Sequence, residues 1–151
     1  EIKNLINNEK KLRINDVLIY KKFYKNILNI KKKLRKLIFT AKDRCKKIYI
    51  LGASTKGNTI LQFLDLKKNI IQLAVERNKQ KIGAKIIGSN IKIISEKEGS
   101  KNKPDYYLVL PWHFKSEIIK RELNYLKKGG NLIFPLPNLS LVNYKNYKKY
   151  V

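Results

Sequence analysis

Residues 48–58 read Ile-Tyr-Ile-Leu-Gly-Ala-Ser-Thr-Lys-Gly-Asn: an apolar run of strand length, a turn of small residues, and then the start of a helical pattern. This is the layout of a nucleotide-binding strand-turn-helix. Gly52 and Gly57 can adopt backbone angles closed to other residues and let a ligand approach the main chain. Ala53 keeps the turn small, Ser54 and Thr55 add hydroxyls, and the unbonded N–H groups of a helix start favour an anion such as a diphosphate. Ser54, Thr55 and Asn58 suit helix capping equally well. Lys56 is placed to meet a phosphate, although it is one lysine among many. The stretch matches neither the three-glycine dinucleotide fingerprint nor a phosphate loop ending in Gly-Lys-Ser/Thr.

Outward from this turn, the period of the apolar residues alternates between strand and helix. Strands are expected at 48–51, 70–75, 91–94, 106–110 and 132–134. Helices are expected at 59–66, briefly after Ser95 with Glu98 at the capping-box position, and at 113–127 with Gly129-Gly130 as the stop. Upstream, apolar residues from Ile14 to Phe39 recur at spacings of three and four, which predicts one long amphipathic helix capped by Asn15 or Asp16. Strands alternating with helices imply right-handed crossovers and a parallel sheet. The predicted fold is α/β, a Rossmann-like open parallel sheet flanked by helices, preceded by a long N-terminal amphipathic helix. Residues 1–44 read as a helical segment linked to an upstream domain, and residues 45–151 as the sheet domain, with a polar, aromatic tail from Asn143.

Ligands of such sheets sit beyond the carboxyl ends of the strands. Three segments qualify: 52–58, then Glu76, Arg77 and Asn78, then 111–114 with Trp112 and His113. Glu76 lies about twenty positions past the glycine turn, where a dinucleotide fold places its ribose-binding carboxylate. Its roles are a ligand contact, an interdomain clasp, or a plain surface partner of Arg77. Trp112 suits either the core or stacking on a base or sugar face. His113, the only histidine, suits either a supporting acid/base or substrate-binding role or a structural one at a helix start.

The chain has 151 residues, one domain's worth, with 35 basic and 11 acidic residues and a formal charge of +24. Such charge suggests phosphate-rich partners. Only five of the 35 are arginines, leaving 30 lysines, and Lys, Asn and Ile share A- and T-rich codons, so biased base composition is the simpler source. Nucleic-acid readers lean on arginine for bidentate contacts. The single cysteine, Cys45, has no partner for a disulfide or a metal site. No segment is apolar enough to span a bilayer and no leader is evident, which makes a cytoplasmic address the default. The chain lacks methionine and opens in helix-like sequence, as a fragment of a longer protein would.

Gly-Ala-Ser-Thr-Lys-Gly-Asn at 52–58, Glu-Arg-Asn at 76–78, Pro-Asp-Tyr-Tyr-Leu-Val-Leu-Pro-Trp-His-Phe at 104–114 and Leu-Lys-Lys-Gly-Gly-Asn-Leu-Ile-Phe-Pro-Leu-Pro at 126–137 resemble the C-terminal domain of S-adenosylmethionine-dependent sugar C-methyltransferases, over about residues 14–137. The resemblance implies a Rossmann-like module that closes over a nucleoside-diphosphate 4-keto-deoxysugar methylated at C-3, in deoxysugar or polysaccharide biosynthesis. It also implies that S-adenosylmethionine, a structural zinc and the catalytic base belong to other domains of the same polypeptide, so that this chain carries no cofactor and is inactive alone. Expected substrate contacts are Gly52, Ala53, Ser54, Thr55, Lys56, Gly57, Asn58, Glu76, Arg77, Asn78, Trp112 and His113, the last as a possible supporting catalytic group. Expected partners are the sugar nucleotide and the upstream methyl-donor domain, with no membrane and no nucleic acid. The alternatives are a nicotinamide-dinucleotide domain of an oxidoreductase, weakened by the missing third glycine, and a basic structural or nucleic-acid-binding module.

Overall fold

All four residues of the first strand, β1 (Ile48–Leu51), are buried, as a strand covered on both faces requires. Ile48 and Ile50 point to one face, Tyr49 and Leu51 to the other. Around β1, a computed structural model describing residues 1–151 builds a six-stranded sheet from β2 (Leu73–Glu76), β3 (Lys92–Ser95), β4 (Tyr106–Val109), β5 (Asn131–Phe134) and β6 (Ser140–Val142). The order is β3-β2-β1-β4-β5-β6. The first five strands are parallel, with Leu51 opposite Val75 and Val109, and β6 returns antiparallel to β5. The fold class expected from the sequence is the one observed.

Two helical layers cover the sheet. On one face, α2 (Val17–Asp43) and α3 (Thr55–Phe63) pack Leu34, Ile38, Ala41 and Leu61 against Ile48, Ile50 and Leu108. Fully burying one such side chain stabilises by roughly 1.5–3 kcal/mol, so these contacts fix the lower half of α2 on the sheet. Arg35 adds a hydrogen bond to the Leu64 carbonyl at the end of α3. On the other face, α5 (Lys115–Arg121) and α6 (Leu123–Lys127) contribute Ile118, Ile119 and Leu126 against Tyr49, Tyr107, Leu132 and Phe134. α4 (Glu96–Asn102) opens with the expected capping box of Ser95 and Glu98. Before α2, the separate helix α1 (Ile2–Lys11) buries nothing.

Several boundaries differ from the sequence reading, each for a local reason. The long helix runs to Asp43, capped by Asp16 through the Leu18 N–H. α3 starts at Thr55, four residues early, because Ser54 caps it and Gly57 is tolerated inside its first turn. The second strand starts at Leu73 because Ile70 and Ile71 close a turn onto the Lys67 carbonyl. The helix expected over 113–127 is a 3-10 turn, Trp112–Phe114, followed by α5 and α6 with a break at Glu122. β6 was not expected at all. No helix is long and apolar enough to cross a membrane.

Candidate functional site

Strand order reverses between β1 and β4, and Gly52 and Pro111 follow those two strands. Gly52 has φ +83°, and a β-carbon there would lie 2.8 Å from Pro111 Cδ. Both the angle and the contact therefore demand glycine at the switch point. The chain then enters α3. Ser54 Oγ accepts the Gly57 N–H at 3.0 Å, while the N–H groups of Thr55 and Lys56 carry no partner within the chain. These point outward at a helix start, where an anion is favoured.

Gly57 behaves differently from its reading as a point of ligand approach. It is buried, and a β-carbon there would lie 2.5 Å from Leu110 Cβ, so its missing side chain lets α3 seat against the end of β4. Asn58 is half-buried, with Oδ1 enclosed and unpartnered. Thr55 and Lys56 are exposed. Lys56 takes part in no ion pair, which leaves it as a free cation on the first turn of α3.

Glu76 closes β2 and organises the neighbouring turns. Its Oε1 accepts the N–H groups of Arg77 (2.7 Å) and Asn78 (3.0 Å), and its Oε2 accepts that of Ala53 (2.8 Å). Burial pushes this carboxyl up, but the N–H groups of Asn78, Arg77 and Ala53, with Lys81 nearby, outweigh it and hold the pKa below the usual range. Lys81 Nζ donates to the Ala53 carbonyl at 3.0 Å. The two side chains thus grip both ends of one residue in the β1 turn. Glu76 meets Arg77 through its backbone; the Arg77 guanidinium instead faces Glu96 at 3.7 Å. Asn78 caps the short turn Lys79–Lys81.

These groups edge a cleft of about 370 Å³ whose walls come from the ends of β1 and β2, the turn at Lys81, the loop after β4, and α4 and α5. Gly52, Ser54, Glu76 and Arg77 line it, as the sequence suggested; Lys81, Glu96, Glu117 and Arg121 line it too, and the sequence did not signal them. Its three carboxylates and three cations balance in a chain with 35 basic and 11 acidic residues. Bulk basicity is therefore not concentrated there. Arg121 reaches Glu96 at 3.3 Å and Glu122 at 2.8 Å, so the cleft's cations already have partners; Thr55 and Lys56, with the open N–H groups of α3, follow Ser54 just outside its lining.

Trp112 and His113 lie elsewhere. Trp112 lines a second cavity of about 620 Å³, bounded by α2, α3 and the Pro135–Asn138 segment. His113 is exposed, its ring 5.9 Å from Trp112 and 4.4 Å from Phe114. Neither borders the charged cleft, where Phe114 takes the equivalent place. Tyr107 is core; burial, with Glu122 and Glu96 nearby, pushes its hydroxyl pKa well up. Cys45 is exposed.

Residues 1–137 match the family described as C-methyltransferase C-terminal domain. The chain belongs to that family. It is also 30% identical over 124 residues to the C-methyltransferase NovU of Streptomyces niveus, an overlap of 82% of this chain but 30% of that relative. The chain therefore spans under a third of the length of the curated relative it matches. The matched family region begins at residue 1 and so includes α1 and α2.

Proposed function

We propose that this chain is the sugar-nucleotide-binding C-terminal domain of an S-adenosylmethionine-dependent methyltransferase that adds a methyl group at C-3 of a nucleoside-diphosphate 4-keto-deoxysugar. The observation that carries the proposal is family membership over residues 1–137, joined to a cleft at the carboxyl ends of β1 and β2. In this reading the diphosphate meets the open N–H groups of Thr55 and Lys56 and the Lys56 ammonium, and Glu76 and Lys81 keep the Gly52–Ser54 turn in place. Polar sugar groups face the charged side chains of Glu96, Glu117 and Arg121. Asn58, Asn78, Trp112 and His113 lie outside the cleft and in this reading meet substrate only when other domains close over it.

Methyl transfer to C-3 requires removal of the proton beside the ketone and stabilisation of the enolate that results. The cleft offers no histidine, and its best-buried carboxylate, Glu76, is occupied by three backbone N–H groups. The base therefore belongs to the rest of the polypeptide, as does the methyl-donor site. No group of three His, Cys, Asp or Glu side chains could hold a zinc ion, so these residues do not fit that metal. Residues 1–44 serve in this reading as the link to the upstream domain, and the working place is the cytoplasm, where nucleotide sugars are made.

Parallel calorimetric titrations of the 151-residue chain with a thymidine-diphosphate sugar, a nicotinamide dinucleotide and S-adenosylmethionine test the proposal. Saturable binding of the sugar nucleotide alone is expected. Micromolar binding of the methyl donor would overturn the division of labour, and preference for the dinucleotide would make this an oxidoreductase domain.

A further inference from the structure

The face of α2 that seats Leu34, Ile38 and Ala41 on the sheet does not stop where the sheet stops. The same stripe continues towards the helix start through Ile30, Ile27 and Phe23 at spacings of three and four, and there it forms one wall of an apolar groove. α3 supplies the opposite wall with Ile60 and Phe63, and Trp112 and the Pro135–Pro137 segment close the end. Of the 18 exposed large hydrophobic side chains in the molecule, 12 fall within residues 1–33. Phe23 of α2 and Phe63 of α3 are the exposed ones that line the groove, and contiguous exposed apolar surface marks an interaction site. α1 has an apolar stripe and no buried residue, and a helix of that length is marginal without a partner.

The electrostatics select the occupant. Residues 1–33 carry ten lysines and arginines against Glu1, Glu9 and Asp16, no acidic residue lines the groove, and Lys31 stands at its edge over the Phe63 ring. A second copy of this chain, with formal charge +24, would be repelled. We infer that the groove between α2 and α3 docks an acidic amphipathic helix from the part of the same polypeptide outside residues 1–151. Its apolar side chains, three and four residues apart, lie between Phe23, Ile27 and Phe63, and a flanking carboxylate meets Lys31, the one cation that lines the groove. The aligned segment is 30% of the NovU relative, so proteins of this kind contain ample chain to supply such a helix. That source rests on the reading of this chain as one domain of a longer enzyme; the groove and its charge preference do not.

Amide hydrogen exchange over residues 17–33, compared between the 151-residue chain and the complete polypeptide that contains it, tests the inference. Exchange at least tenfold slower in the complete polypeptide is expected, with the difference shrinking in 0.5 M salt. Ile27→Lys should abolish it while β1 and β4 stay protected, which separates lost docking from lost folding. Equal exchange in the two forms overturns the inference. So does protection that grows with the concentration of the 151-residue chain, which would mean self-association, or protection by phosphatidylglycerol vesicles without any in the complete polypeptide. Failure of the methyltransferase reading is distinguishable: protection would persist in a polypeptide that methylates no keto-sugar nucleotide, whereas methyl transfer without protection would sink the docking alone.

Discussion

Glu76 is held by three backbone N–H groups, from Ala53, Arg77 and Asn78, and its pKa is lowered by them against the opposing effect of burial. A carboxylate with a lowered native pKa stabilises the fold above its unfolded value, about 4.3, and that contribution disappears as pH falls through the native value. Glu76→Gln keeps one acceptor oxygen and loses the charge. Urea unfolding at pH 7 should show a loss of about 1–2 kcal/mol, the order of a charge-assisted hydrogen bond. The gap to the unaltered protein should begin to narrow as pH falls past about 4.3 and close only below the lowered native value, where both carry a neutral side chain; a gap that does not narrow as pH falls would assign the loss to packing instead. At Gly57 the expected cost is steric. Gly57→Val drives a branched side chain into Leu110 and should destabilise by about 1–3 kcal/mol, whether or not ligand is present. Were stability unchanged and only sugar-nucleotide affinity lost, Gly57 would be a point of ligand approach after all.

Serine caps two of the short helices, and the pair separates structural from binding roles at the scale of the element. Ser54 caps α3 beside the cleft, and Ser95 caps α4 with the reciprocal bond from Glu98. Either serine changed to alanine should cost about 1 kcal/mol of stability. Only Ser54→Ala should also weaken sugar-nucleotide binding by calorimetry, because its helix start faces the proposed diphosphate; equal affinities in the two variants would remove α3 from the site. Elements with strong local signals were legible from the sequence. The continuous apolar runs of β1 and β4, the capping box of α4 and the stripe of α2 each state their period within a few residues. β6 was not legible, since three residues after a proline-rich stretch, Ser140–Val142, have no period of their own and become a strand only beside β5. The cleft divides in the same way. Gly52, Ser54, Glu76 and Arg77 follow strand ends that could be read directly, whereas Lys81, Glu96, Glu117 and Arg121 arrive from a turn and two helices, and a single lysine among 30 carries no local mark. Trp112 and His113 also followed a strand end, but the 3-10 turn at Trp112–Phe114 rotates them out of the cleft and turns Phe114 in.

For the whole molecule the open question is what a formal charge of +24 accomplishes. Positive side chains are spread over α1, α2 and the surface loops, while the cleft is balanced. Spread charge of this kind attracts any polyanion through counterion release, with no preference for sequence. Binding of a short DNA duplex should therefore be measurable at low salt and fall by orders of magnitude on going to physiological salt, because each neutralised phosphate adds nearly one unit to the salt exponent. Sugar-nucleotide binding should respond far less. It depends on a few short contacts at the start of α3 and in a partly enclosed cleft, where screening over a Debye length of about 8 Å has little to act on. Fluorescence anisotropy for the duplex and calorimetry for the sugar nucleotide, each from 50 to 300 mM salt, give the two slopes. A steep slope for DNA beside a shallow one for the sugar nucleotide assigns function to the cleft. Tight, sequence-selective duplex binding that survives physiological salt, without any heat from the sugar nucleotide, would transfer it to the basic surface.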